Sequence, residues 1–236
     1  MSALQVSPAG HWCSGVVIEV SHPHPMAVII KLDVQHRMEH LPGQHYVVRL
    51  TADDGYSASR SYSVASAPHE PLIELFVERL DDGEVSPYLA DAVEVGDELE
   101  LRGPIGGWFT WDGSAPAVGV GGGTGVVPLV AMLRHARHLG HAERFNVAVS
   151  SRTLAELPYA AELTTAGATV VLTREDTVAG RLAGRLMANE LAPLVVDPAT
   201  YYVCGSAGFA ESASGLLTGL GVPAGTIRVE RFGPSG

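Results

Sequence analysis

The stretch from Ala117 to Pro128, Ala-Val-Gly-Val-Gly-Gly-Gly-Thr-Gly-Val-Val-Pro, constrains this chain more than any other. A short apolar run (Ala117, Val118, Val120) reads as a fully buried strand. It breaks into glycines at Gly121, Gly122, Gly123 and Gly125, after which helical spacing carries Val127, Val130, Leu133 and Leu139. Strand, glycine loop and helix start together make an anion site. Backbone N–H groups are free there, the helix dipole favours negative charge, and glycine lets a diphosphate approach the main chain. The spacing departs from the usual dinucleotide fingerprint, because Pro128 fills the third glycine position of Gly123-x-Gly125-x-x. A proline suits the first helical turn, where its missing N–H costs little. Taken alone, the stretch is also compatible with a glycine-rich turn that holds no ligand.

On either side of this stretch the texture differs. Before it, Val16 to Val20, Ala27 to Leu32, Tyr46 to Leu50, Arg60 to Ala65, Ile73 to Leu80 and Glu98 to Leu101 read as short strands bounded by turn residues. The longest helical pattern among them is Pro87 to Ala92, so a small antiparallel barrel is expected. After Trp111-Asp112-Gly113-Ser114, apolar strands at Ala117 to Val120, Phe145 to Val149, Thr169 to Leu172, Tyr201 to Val203 and Thr226 to Val229 alternate with helical spacing. That alternation implies a parallel sheet covered by helices on both faces. The fold class is thus β followed by α/β, with domains at 1–113 and 114–236.

A length of 236 residues accommodates two such domains, and 46% hydrophobic with 17% charged residues argues for a folded chain. A formal net charge of −11 argues against a nucleic-acid partner and against an anionic membrane surface. The start, Met1-Ser2-Ala3-Leu4-Gln5, lacks a charged region followed by an apolar core, and no run approaches a membrane-spanning length. A cytoplasmic monomer without membrane insertion is expected. Cys13 and Cys204 form no C-x-x-C, which removes four-thiolate iron–sulfur and structural zinc sites. His22, His24, His36, His40 and His45 crowd the first third, but metal ligands need a Cys, Asp or Glu partner at a set spacing, and these histidines fall in turns between strands. They read as solvated loop histidines, and no metal is expected.

Two further motifs lie in the barrel half. In Arg60-Ser61-Tyr62-Ser63, strand alternation puts Arg60 and Tyr62 on one face and Ser63 on the other. A guanidinium can grip a phosphate there, the aromatic can pack on a flat ring, and the hydroxyl can donate to a ring edge. In Gly83-Glu84-Val85-Ser86-Pro87, a turn leads into a short helix with Ser86 as N-cap and Pro87 as first helical residue. A polar strand and a plain capped helix are the simpler readings of each.

The order Pro42-Gly43-Gln44, Arg60-Ser61-Tyr62-Ser63, Gly83-x-x-Ser86, Gly103-Pro104-x-Gly106, Gly122-Gly123-Thr124-Gly125-x-x-Pro128, Cys204-Gly205 and Glu230-x-Phe232-Gly233-Pro234 resembles the ferredoxin–NADP reductase family over nearly the whole chain. The resemblance implies an antiparallel Greek-key FAD-binding barrel followed by a doubly wound NAD(P)-binding parallel sheet. It places Arg60 on the flavin phosphate, Tyr62 on the isoalloxazine and Ser63 near the hydride-accepting nitrogen, with Ser61 beside them. Phe76, Val77 and Glu78 in the next strand are assigned to the flavin as well. Gly83, Glu84, Val85 and Ser86 would cradle the pyrophosphate. Gly122, Gly123, Thr124 and Gly125 would hold the nicotinamide dinucleotide. Cys204 and Gly205 would lie beside the nicotinamide, and Glu230 and Phe232 belong to a terminal segment similar to that of flavohaemoglobin-type reductases. Ser63, Cys204 and Glu230 would tune and position; no general acid or base is required.

The expected activity is transfer of a hydride from NAD(P)H to bound FAD, then of electrons to an external ferredoxin or oxygenase component. Neither an iron–sulfur domain nor a C-terminal cysteine cluster accompanies the core. Electrons are therefore expected to leave to a separate acceptor. Two other readings stay open: a flavin reductase that releases reduced flavin, and a non-catalytic electron-transfer or docking subunit. For the nicotinamide cofactor, an acid after the second parallel strand would repel a 2′-phosphate. That strand instead ends in Ser150-Ser151-Arg152, with no acid before Glu156, and the third ends in Thr173-Arg174. Two arginines and several hydroxyls suit a phosphate, so NADPH is expected over NADH.

Overall fold

A computed structural model describes residues 11–233, so Met1 to Gln5 and Pro234 of the terminal motif lie outside the described residues. The chain divides into two compact units between Thr110 and Trp111.

The first unit contains β1 (Trp12–His24), β2 (Ala27–Asp33), β3 (His45–Thr51), β4 (Ser57–Ser63), β5 (Ile73–Glu78), α1 (Ser86–Asp91) and β6 (Glu98–Ile105). The strands pair antiparallel in the order β4-β3-β6-β1-β2-β5. A single bridge from Val64 to Leu75, backed by Ala65 N–H donating to Glu74 O at 2.8 Å, joins the two outer strands. The sheet thus closes on itself, which removes most of its open edge. Alternation decides what lies inside. Val28, Ile30 and Leu32 of β2 face the interior with Tyr46, Val48, Leu75, Val77 and Leu101, and Val85 and Leu89 bring α1 onto the same core. Each such side chain contributes roughly 1.5–3 kcal/mol by leaving water. Gly103 makes room for the largest of them, because a Cβ there would lie 2.6 Å from the Tyr46 ring. Outside the barrel, Arg49 stacks 3.9 Å over Trp12 and its Nε donates to Glu100 at 2.6 Å.

The histidines correct the expectation of solvated loops. His22 and His24 lie on β1 and His45 on β3. His40 is fully buried, with ring nitrogens 2.9 Å from Ser66 O and 3.1 Å from Arg37 Nη1. A guanidinium only donates, so toward these two partners Nδ1 accepts and Nε2–H donates, and the ring pins the loop before β3 to the chain after β4. Loop composition alone could not reveal that pairing. Among the described residues no group of His, Cys, Asp and Glu is arranged to hold a metal.

The second unit contains β7 (Ala117–Gly122), α2 (Val127–His138), β8 (Phe145–Ser151), α3 (Ala160–Thr165), β9 (Thr169–Leu172), α4 (Ala188–Leu191), β10 (Thr200–Ser206), α5 (Ala207–Gly219) and β11 (Ile227–Phe232). The strands are parallel in the order β11-β10-β7-β8-β9. The two faces of β7 show why helices cover both sides. Val118 and Val120 join Val203, Ala210, Ala213 and Leu217 under α5. Gly119 and Gly121 face the other way, where a Cβ would lie 3.1 and 2.9 Å from Leu129 of α2. Bare backbone on that face seats α2 directly on the strand. Arg134 ties α2 to α3 through Glu162 at 2.9 Å. Trp111 is buried on Phe145, ring centroids 5.0 Å apart, and its Nε1–H donates to Ala115 O at 2.9 Å. Packing therefore draws the chain into the second unit at Trp111, slightly ahead of the change in texture at 113/114. No described helix is long and apolar enough to cross a membrane.

Candidate cofactor-binding site

In the first unit the site is built on β4. Pairing with β3 sets Tyr62 opposite Tyr46 and Arg60 opposite Val48, so Arg60 and Tyr62 share a face as expected. Ser61 is exposed and Ser63 buried. Tyr62 packs partly against the barrel core, and this burial pushes its phenol well above the ordinary range. Arg60 is half-exposed: Nη1 donates to Ser59 O at 2.8 Å and Nη2 to Glu84 Oε2 at 2.9 Å. The other Glu84 oxygen accepts from the Tyr56 hydroxyl. Tyr56 and then Arg60 hold the Glu84 carboxyl below the usual carboxylate range.

The turn before α1 differs from expectation. Val85 is the N-cap, without a side-chain cap, and Ser86 is already the first helical residue. The Ser86 hydroxyl is drawn backwards instead, accepting from Leu80 N–H at 3.1 Å. Gly83 N–H donates to Leu80 O at 3.0 Å, and a Cβ on Gly83 would lie 2.7 Å from Ser86 Oγ. Glycine and serine thus fasten a tight turn that presents Glu84 outward. Of the remaining expected residues, Val77 and Val85 are core side chains, Phe76 is nearly buried and Glu78 is exposed. Val77 and Val85 have only their backbone to offer a ligand.

In the second unit the site lies at the carboxyl ends of β7 and β10. The chain leaves β7 for β8 on one side while β10 lies on the other, and ligands of open α/β sheets bind at such a switch point. Three glycines let the loop after β7 lie on the end of β10. A Cβ on Gly125 would sit 2.2 Å from Cys204 O, one on Gly122 2.6 Å from the Phe209 ring, and one on Gly205 2.8 Å from Phe209 Cδ1. Gly123 differs: its φ is +56° and a Cβ there would meet nothing within 4 Å. The loop does not pass straight into the helix, because a 3-10 turn spans Gly123–Val126 before α2 begins. Pro128 sits in the first turn of α2, as its missing N–H allows.

Cys204 is fully buried and sits opposite Glu230 in the β10–β11 register. Burial raises the Glu230 carboxyl to about 7, and its Oε2 is a buried atom without a hydrogen-bond partner among the described residues. Burial, then the Glu230 charge, pushes the Cys204 thiol up, which disfavours the thiolate that a nucleophile needs. Phe232 ends β11 opposite Ser206. Ser206 and Phe209 were not expected in the site. Ser206 Oγ accepts from Phe209 N–H at 3.3 Å and caps α5. The signal was a serine directly before a helical pattern.

The ends of β8 and β9 lie side by side. Thr173 N–H donates to Ser151 O and Arg174 N–H to Arg152 O, both at 2.9 Å. Glu156 corrects the expectation of an acid-free strand end, because it returns to within 3.3 Å of Arg152 Nε. Glu175 is tied down, accepting from Leu154 N–H at 2.6 Å. Arg174 is exposed and makes no ion pair among the described residues.

The residues fit the groups the resemblance implies. Arg60 already holds an oxyanion, that of Glu84, beside the half-buried Tyr62 ring. Gly123 leaves open backbone at a switch point, where a diphosphate could approach.

Comparison with known proteins agrees. Residues 17–110 match the family model of the oxidoreductase FAD-binding domain. The chain is 34% identical over 200 residues to a flavohemoprotein of Deinococcus radiodurans, covering 75% of this chain and 47% of that protein. It is 26% identical over 218 residues to the ferredoxin–NAD(P)(+) reductase component of a naphthalene 1,2-dioxygenase/salicylate 5-hydroxylase system of a Ralstonia species, covering 88% and 65%. Among solved structures, the FAD/NAD-binding domain of the nitric oxide dioxygenase of Vibrio cholerae superposes with a TM-score of 0.82 at 25% identity, over 94% of this chain and 99% of that one. The chain spans about half the length of the first of these curated relatives. Motifs, topology and relatives converge on a ferredoxin–NADP reductase-like chain, an FAD-binding domain followed by a nicotinamide-dinucleotide-binding domain, similar to the FAD/NAD modules of flavohemoproteins and oxygenase reductases.

Proposed function

We propose that this chain is an NAD(P)H-dependent FAD reductase that passes electrons to an external acceptor, a ferredoxin, an oxygenase component or a haem protein. The observation that carries the reading is the arrangement of Arg60 and Tyr62 on one strand face, beside the turn fastened by Gly83 and Ser86. When bound, the flavin supplies the chemistry, taking a hydride from the nicotinamide and releasing electrons singly or in pairs. The chain supplies position and electrostatics. Arg60 neutralises phosphate, Tyr62 offers an aromatic face, and Ser63 offers a hydroxyl at the end of the same strand. Gly122 to Gly125 admit the dinucleotide diphosphate to the backbone. Cys204 gives a small, dry surface at the switch point, and Glu230 beside it is a poised, poorly solvated carboxyl.

The reading favours NADPH, and Arg174 is its main support. Arg152 shares its charge with Glu156, whereas Arg174 has no carboxylate partner among the described residues. A second reading, a reductase that binds flavin as an exchangeable substrate, is favoured by the Glu84 carboxylate already standing on Arg60. The deciding experiment is the absorbance spectrum of the purified protein, chromatography of any released flavin, and NADPH oxidation with an artificial acceptor. Tightly bound FAD with turnover supports the first reading. Turnover only with added free flavin supports the second, and no turnover under either condition sinks both.

A further inference from the structure

The carboxylate on Arg60 stands where a phosphate is expected, on the side chain that should grip it. Two neighbours fix it there. Arg60 Nη2 donates to one oxygen at 2.9 Å, and the Tyr56 hydroxyl donates to the other. The pair spans sequence as well as space, because Arg60 belongs to β4 and Glu84 to the turn before α1. Glu84 is held out from that turn by its tight closure, in which Gly83 is bonded to Leu80 and Ser86 turned back onto Leu80 N–H. The charge around it is acidic. Asp81 and Asp82 precede Gly83, and Arg79 is committed to Asp81 and Asp91. A flavin diphosphate brings two negative charges to this place. It cannot share Arg60 with Glu84 without setting like charges side by side, so one of the two anions must leave.

We propose that Glu84 is a built-in competitor for flavin phosphate at Arg60, an internal counter-ion that sets how tightly this chain holds phosphorylated flavins. The inference rests on the reading of the first unit as a flavin site and adds a specificity-determining residue to it. The pair is exposed, with Arg60 38% and Glu84 45% accessible, so its displacement tunes affinity and does not block binding. The competition acts on phosphate alone. FAD and FMN must displace Glu84, whereas riboflavin has no phosphate and leaves the pair intact.

The test is titration of the full chain, freed of flavin, with FAD, FMN and riboflavin, read by quenching of flavin fluorescence. The Glu84→Gln variant keeps the size of the side chain and an oxygen for Tyr56, and removes the charge. Its dissociation constants for FAD and FMN should fall about three- to tenfold at low salt, given the worth of an exposed ion pair plus the relief of like-charge repulsion. That for riboflavin should not change. A wild type that binds FAD with a constant Glu84→Gln leaves unaltered or raises overturns the inference alone. Equal tightening of riboflavin also overturns it, because the effect would then be one of shape. If the wild type binds no flavin while Glu84→Gln binds FAD, the pair blocks binding and does not tune it, which overturns the inference as stated. If neither binds any flavin, the flavin-site reading fails and takes the inference with it.

Discussion

Replacing Gly125 with alanine separates the closure of the nucleotide loop from its conformation. The added Cβ would lie 2.2 Å from Cys204 O, 2.5 Å from Cys204 C and 2.6 Å from Gly205 N. All three are backbone atoms of β10, so no rotamer change relieves the overlap. Either the 3-10 turn lifts off the strand or β10 loses its register with β7. Overpacking of this kind costs about 1–3 kcal/mol where side chains can yield, and more where they cannot. About 3 kcal/mol or more is therefore expected for Gly125→Ala. Gly123→Ala is the control. Its Cβ meets nothing within 4 Å, and the substitution bears only the left-handed backbone at φ +56°, worth roughly 1–2 kcal/mol. Urea denaturation followed by far-UV circular dichroism compares the two. If Gly125→Ala proves as stable as wild type, or Gly123→Ala the more damaging, then the loop does not rest on Cys204 as described.

Arg60→Ala should purify paler and regain activity with added FAD, since a partly buried charge-assisted phosphate contact is worth about 2 kcal/mol; unchanged flavin content removes Arg60 from the site. Arg174→Ala should raise KM for NADPH about ten- to a hundredfold and leave KM for NADH nearly unaltered. Steady-state kinetics with both cofactors decide this, and a wild type that already prefers NADH makes Arg174 a solvated strand-end arginine. Cys204→Ser should slow flavin reduction in stopped flow without releasing flavin; wild-type rates would return Cys204 to a purely structural role. Glu230, raised from 4.5 to about 7 by burial, keeps its proton in the folded state while the unfolded chain loses it. Its contribution to stability is thus full below about pH 4.5 and lost as pH rises through about 7. Glu230→Gln should flatten the stability profile across that window, and an unaltered profile assigns the slope to another group.

Much of the architecture was legible because it rests on local periodicity. Thr169 to Leu172 was read as a strand with the ends that β9 has. The alternation along Arg60 to Ser63 gave the faces of β4 correctly, because strand geometry leaves no other choice. What stayed hidden depends on where the chain returns. His40 is polar, lies in a loop and has no strand period, yet Ser66 and Arg37 bury it. Ser86 looked like an N-cap because it precedes a proline, but its hydroxyl is claimed by Leu80, six residues earlier. Glu156 stands four residues after Arg152 in sequence, yet its carboxylate lies against the Arg152 guanidinium. Glu84 was read as part of a cradle by its position between Gly83 and Ser86. Its side chain was silent in the sequence, since nothing there announces that Arg60 and Tyr56 converge on it.

The placing of Trp111 has a practical consequence. It is buried on Phe145 in the second unit, while the other two tryptophans, Trp12 beneath the Arg49 guanidinium and the exposed Trp108, belong to the first. An indole sealed from water emits to the blue of one that meets it, so the native chain carries an intrinsic optical label in each unit. Loss of the blue component follows the opening of the nucleotide-binding unit, and changes at the red edge follow the barrel. With Trp111 replaced by phenylalanine, or Trp12 and Trp108 together, the melting of either half can be recorded in the intact chain without cutting it or attaching a dye.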